Sequence, residues 1–217
     1  MLSSIAVLAA SLPLAIVLER LILRLASVPF SALFQPDAVA PRVLPWQTPR
    51  WRDAIARTFT LILPLLLALT ALRFEPPNLF VAGVVVAALV VCCATDLLAY
   101  RVPNIVTIPA LAVVLTAAAL SGMPELLNAT LGLAVCAGAM LVVAILSRGG
   151  LGGGDVKLVA LIGAALGLPE APIALGAGIV AGSLVVIALH ATGELKRGDV
   201  FPYAPFLSIA ALVVLFL

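Results

Sequence analysis

The chain has 217 residues, of which 64% are hydrophobic and only 10% charged, whereas a soluble domain carries about 25% charged residues. So much apolar surface excludes a water-soluble core and points to a polytopic membrane protein. The net charge of +2 is too small to indicate nucleic acid as a partner.

A membrane helix takes about 20 mostly apolar residues, with a range of about 17–25. By that measure the chain is all-α, a polytopic helical membrane protein of about eight transmembrane helices. The segments are residues 2–25, 59–72, 79–95, 105–120, 126–147, 156–168, 171–191 and 200–217. The second and sixth are short, and the sixth reads as a tilted or partial span. Pro76-Pro77, Pro103-Asn104, Gly122 to Pro124, the glycine run, Pro169 and Gly198-Asp199 mark the breaks.

The first segment has no basic residue until Arg20 and Arg24 at its end. That polarity is wrong for a cleaved signal peptide, so the segment is expected to stay as a span whose N-terminus lies outside. Residues 26–58 form the one long loop, with Pro29, Pro36, Pro41, Pro45, Pro49, Trp46, Trp51 and four arginines. Such residues ordinarily rest on lipid headgroups; docking of a substrate is the alternative. With eight spans, 11 of the 12 basic residues fall on one side, and only Arg73 falls on the other, with Glu75, Glu125 and Glu170. The basic side is the cytoplasmic one, which places both termini outside. The chain reads as a single integral membrane domain, 1–217, in the inner (plasma) membrane.

Two carboxylates stand apart from those in loops. Asp96 follows the apolar run 79–95 in "VVCCATDLLAYRVPN", and Asp155 opens the sixth segment after Gly149, Gly150, Gly152, Gly153 and Gly154. Both fall at cytoplasmic helix ends. They are either ordinary interfacial charges or a functional pair, since an ionisable residue at membrane depth is costly. A phosphate-binding loop is excluded: the Lys-Ser/Thr pairing is missing, no strand precedes the glycines, and Asp155 would repel phosphate. Two acids on one face suit another chemistry. One, ionised, takes a proton from water; the other, protonated, hydrogen-bonds a scissile carbonyl and later protonates the leaving amine. Close like charges hold one proton between them unaided. That is aspartyl proteolysis, without metal or nucleophilic side chain.

Three stretches in order, "DLLAYRVPN" (Asp96–Asn104), "GGGDVKL" (Gly152–Leu158) and "FPYAPFL" (Phe201–Leu207), give the chain a specific resemblance. It resembles a type IV prepilin peptidase, one of the intramembrane aspartyl proteases with a Gly-x-Gly-Asp motif. The resemblance covers most of 79–217, the expected peptidase core. It implies Asp96 and Asp155 as the catalytic acids and Gly152 and Gly154 as the motif glycines. Arg101, Pro103 and Asn104 match the first motif, and these, with Lys157, are the candidates for substrate binding or for shaping the site. It also implies cleavage of the short basic leader of prepilin- or pseudopilin-like precursors at the cytoplasmic face, with the precursor's apolar helix entering laterally from the bilayer.

Many family members carry two Cys-x-x-Cys pairs in the first loop, which bind zinc, and also methylate the new N-terminus using S-adenosylmethionine. Residues 26–58 hold no cysteine; Cys92, Cys93 and Cys136 lie within predicted spans without metal-ligand spacing. No metal and no cofactor are therefore expected, and methyl transfer is left open. Tyr203-Ala204 stands where a Phe-Gly-like pair is expected. Lys157 does not share a helix face with Asp155; it anchors to the surface or pairs with an acid. His190, the only histidine, reads as satisfied or interfacial.

The roles of the two acids follow from the helix ends. Amide N–H groups at a helix start favour a carboxylate, and carbonyls at a helix end disfavour one. Asp155 is thus expected as the ionised base and Asp96 as the proton holder. The alternatives are a proton- or ion-coupled transporter with paired intramembrane aspartates, which needs its acids near the midplane, a preflagellin- or signal-peptide-peptidase relative, and an inactive assembly scaffold.

Overall fold

The computed structural model describes residues 13, 16, 17, 19–24, 49–146, 152–196 and 199–217. Most of the first expected span, residues 26–48 of the long loop, and Ser147, Arg148, Gly149, Gly150 and Leu151 lie outside the described residues. The described chain is helical, with no strand among the described residues. Seven helices follow one another: α1 Pro49–Arg73, α2 Asn78–Ala99, α3 Asn104–Ser121, α4 Met123–Leu146, α5 Gly153–Leu166, α6 Glu170–Ala191 and α7 Ala204–Phe216. A helical stretch at 19–24 precedes them. An all-helical answer is what a bilayer requires, because each backbone N–H and C=O must find its partner within the segment.

The observed helices revise the expected segments at two places. The second span is not short: α1 begins at Pro49, so residues 49–58 are helix rather than loop. Proline fits the first helical position, where its missing N–H is not needed, and the polar turns after it carry the apolar stretch back toward the loop. The last helix is shorter than expected, starting at Ala204 rather than near Val200, because Pro202 and Pro205 confine where its first turn can begin. Among the described residues, five helices are long and apolar enough to cross a membrane: α1, α2, α3, α4 and α6. At 1.5 Å per residue, α5 and α7 reach only about 20 Å, short of a hydrocarbon core of about 30 Å.

α2 is the central element. It packs against α1, α3, α5 and α7, and its Val86, Leu89, Val91 and Cys92 are almost wholly buried. The core continues through Leu158 and Leu161 of α5 and Leu207 of α7. Ile22 of the N-terminal helical stretch packs on Val91, Ala94 and Leu98, with Ile55 of α1 beside it. Between apolar helices in lipid, close backbone approach replaces the hydrophobic drive. α4 and α5 use it most fully. A Cβ on Gly132 would strike the Gly163 carbonyl oxygen and come within 2.8 Å of Gly167 Cα. Asn128 of α4 then accepts a hydrogen bond from the Leu168 N–H at 2.8 Å, closing the far end of the pair. Thr70 and Thr95 donate their hydroxyls to Leu66 O and Val91 O at 2.7 and 2.9 Å, so they enter the bundle without an unpaired polar atom.

The consequence for function is an ordering of ends. α2 finishes, and α3, α5 and α7 begin, at one end of the bundle; the α1–α2, α3–α4 and α5–α6 turns lie at the other. Asp96, Asp155 and Ala204 all belong to the first end.

Candidate active site

Asp96 sits in the last turn of α2 and is only 6% exposed. Its main-chain carbonyl accepts the Tyr100 N–H at 2.8 Å, and Tyr100 adopts the left-handed conformation, φ 53° and ψ 43°. That residue stops the helix one turn beyond the acid and reverses the chain. A non-glycine residue there costs of order 1–3 kcal/mol, a cost the surrounding contacts must offset. Residues 100–103 then lead into α3, with Pro103 extended at its N-cap.

Asp155 lies in the first turn of α5, whose N-cap is Gly152. Its N–H donates to Gly152 O at 3.1 Å, and its Oδ2 lies beside the Gly152 N-cap, an N3 side chain turned back toward the start of the helix. Asp155 is close enough to Asp96 for the two charges to interact. The two elements are locked side by side by what flanks the acids. A Cβ on Gly154 would come within 3.0 Å of Val102 Cβ, so only glycine lets the start of α5 press on the linker after Asp96. Lys157 Nζ donates to Asn104 Oδ1 at 2.9 Å, bridging α5 to the first residue of α3.

The third stretch completes the site from α7. Its Phe206 and Leu207 N–H groups both turn back to Tyr203 O, and Pro205 has no N–H to give. The Ala204 N–H is left pointing out of the helix start, and it donates to Asp96 Oδ2 at 2.9 Å in a buried setting. Phe201 stacks on Phe206 with centroids 5.6 Å apart and meets the Tyr203 ring edge-on at 5.7 Å.

Every candidate from the sequence therefore falls at one end of the bundle, with differences in detail. Asp96, Asp155, Gly152, Gly154, Lys157 and Asn104 are joined through the contacts above. Pro103 shapes the start of α3, and Arg101 is half-buried in the linker with one guanidinium nitrogen closed off from solvent. Lys157 binds neither acid: it is exposed and holds Asn104. The glycines are less uniform than expected. Gly152 has ordinary extended angles, φ −72° and ψ 140°, and Gly153 has open space where a Cβ would stand; of those described, Gly154 alone is required by packing against another segment. The Ala204 donor was missed. Its signal was present in "FPYAPF": a proline at the second helical position removes one free amide and leaves its neighbour's as the available one.

Among the described residues no three His, Cys, Asp or Glu side chains are grouped closely enough to hold a metal ion. Cys92, Cys93 and Cys136 are buried free thiols.

A buried carboxyl held by an amide, a second carboxyl at a glycine-capped helix start, and a glycine contact joining the two segments make up one paired-acid site, and residues 83–187, which include both acids, match the type IV leader peptidase family. Over these residues the chain is similar to the type IV leader peptidase family. No match was found among curated proteins or solved structures. The matched leader peptidase region spans just under half of the chain. It begins within α2 and ends within α6, so the α7 amide on Asp96 lies beyond it. The chain is a leader peptidase-like protease built into a multi-pass helical membrane protein.

Proposed function

We propose that the chain is an intramembrane aspartyl endopeptidase that removes the basic leader of prepilin- or pseudopilin-like precursors, with Asp96 and Asp155 as its catalytic pair. The observation that carries this reading is the placement of the two carboxyls on adjoining segments, Asp96 buried and Asp155 at a helix start, near enough to interact.

Asp155 is the base. It lies in the first turn of α5, where helix amides favour a carboxylate, and it takes a proton from a water molecule. The water oxygen adds to the scissile carbonyl carbon. Asp96 holds the proton that meets the developing oxyanion. With Oδ2 accepting from Ala204, a protonated Asp96 carries its proton on Oδ1, free to donate. Breaking the C–N bond then releases the amine, which takes the proton that Asp155 removed from water, while Asp96 recovers its own proton from the diol as the new carboxyl forms; the base, and not the proton holder expected from the sequence, protonates the leaving amine. The Ala204 contact tempers the helix-end argument. Asp96 faces an N–H donor as well as the carbonyl end of α2, so the helix ends alone do not set which acid holds the proton.

The position of the acids at helix ends favours proteolysis over ion transport, which places paired acids near the midplane. Eleven of 12 basic residues fall on the site side of the expected topology, which supports an active site near the cytoplasmic face of the inner membrane. A basic leader would remain on that side while the precursor's apolar helix lies among the spans. Co-expression with a precursor of that kind tests the reading. A shortened product on a gel, with the new N-terminus mapped by mass spectrometry, is the expected result; an intact precursor beside folded, membrane-inserted enzyme would overturn it.

A further inference from the structure

The amide that holds Asp96 belongs to α7, a helix of 13 residues that lies outside the region matched to the family. Nothing in the first two motifs fixes where that amide stands. The contacts of Tyr203, the residue before it, do. The Tyr203 ring lies on Gly182 of α6 so closely that a Cβ there would come within 2.9 Å of Cε1 and 3.2 Å of Cδ1. Its hydroxyl is 3.2 Å from Ser183 Oγ. One turn earlier on α6, a Cβ on Gly178 would come within 3.0 Å of Leu207 Cα. α6 and α7 thus meet backbone to backbone, and the tyrosine keys α7 at one height along α6. Tyr203 is the N-cap of α7 and Ala204 its first residue, so a shift of the ring moves the donor to Asp96.

We propose that Tyr203 is a positioning residue for Asp96: its seat on Gly182 and its hydroxyl contact with Ser183 hold the first turn of α7 where the Ala204 N–H meets Asp96 Oδ2. The carboxyl is then fixed in rotation, with Oδ2 occupied and Oδ1 turned to the reaction. The tyrosine need not touch substrate to do this. The inference rests on Asp96 being a catalytic acid, as proposed above.

The test compares Tyr203→Phe, Tyr203→Ala, Ser183→Ala and Gly182→Ala with the parent enzyme, each first checked for folding by thermal melting in detergent. Tyr203→Ala and Gly182→Ala lower kcat by roughly 10- to 100-fold, the scale of a reacting group misplaced by about 1 Å, with KM unchanged. One limb of their pH–rate profile moves by about one unit or more, because a hydrogen bond to an ionisable carboxyl has been altered. Tyr203→Phe keeps the ring and loses less. It loses as much as Ser183→Ala, and the two together lose no more than either, since they break one contact. A raised KM with an unchanged pH profile would mean that Tyr203 meets substrate, and would overturn the proposal.

A second readout needs no turnover. The Asp96 carboxyl band in infrared difference spectra, identified by its loss in Asp96→Asn, shifts in Tyr203→Ala and Gly182→Ala. If the parent enzyme cleaves nothing but the band shifts, the positioning stands and the proteolytic reading fails. If it cleaves and neither band nor pH profile moves, the positioning fails.

Discussion

Lys157 Nζ lies 2.9 Å from Asn104 Oδ1, a bond between the first turns of α5 and α3. One of these turns follows Asp96 by way of a short linker, and the other contains Asp155. The bond therefore spans the gap that the two acids must also span. It is exposed, so its energy is modest, but its geometry bears directly on the pair. Removing it with Lys157→Met or Asn104→Ala is expected to lower stability by no more than about 1 kcal/mol and cleavage several-fold. Kinetics of both single variants and the double one check this; equal losses in all three show that the pair acts as one contact.

Asp96→Asn and Asp155→Asn should each abolish cleavage in a folded, membrane-inserted protein, because asparagine keeps the shape and cannot exchange a proton. The double variant should be no worse than either single one, since the pair works as a unit. Substantial turnover by either variant would exclude the dyad. The parent's pH–rate profile should be bell-shaped, with limbs that belong to the coupled pair rather than to one residue.

Neighbouring glycines should behave differently. Gly154→Ala places a methyl 3.0 Å from Val102 Cβ and drives α5 away from the linker; a cost of about 1–3 kcal/mol follows from such overpacking, with loss of activity from the parted acids. Gly153→Ala meets open space and should stay within about 0.5 kcal/mol of the parent. Melting curves and cleavage rates of the two variants, measured together, separate motif identity from packing.

The α4–α5 pair should be the least tolerant contact in the bundle. A side chain at Gly132 has no room, because the Gly163 carbonyl occupies the place of its Cβ and backbone cannot turn aside. Gly132→Ala should destabilise by about 1–3 kcal/mol or more, whereas Gly138→Ala, on the same helix with nothing nearby, should not. Unfolding in detergent reads the difference.

Orientation rests on the basic residues and is open to direct measurement. Cysteines introduced at Gln35 and Glu125 should label from opposite sides of the membrane, Glu125 from outside. Labelling of Gln35 from outside the cell would invert the bundle and put the proposed site on the wrong face for a basic leader.

Much of this molecule was legible in the sequence because its determinants are local or compositional. Runs of apolar residues determine helices in lipid, since no other structure satisfies the backbone there. Prolines and glycines marked where they break, and two aspartates at the ends of apolar runs stood out because charge is expensive at that depth. The three motifs come together at one end of the bundle. What the sequence could not supply was the partner of each polar group, because that depends on the heights at which helices distant in the chain meet. The start of α1 at Pro49 moved with the polar turns that the apolar measure passes over. Lys157 read as an anchor or the mate of an acid, and it is the mate of Asn104, 53 residues away. The amide on Asp96 comes from Ala204, 108 residues away. Periodicity describes which face of a helix is apolar, but not how far that helix slides along its neighbour. Here Gly154 against Val102 and Gly182 against Tyr203 decide the sliding, through atoms that are absent as much as through atoms that are present.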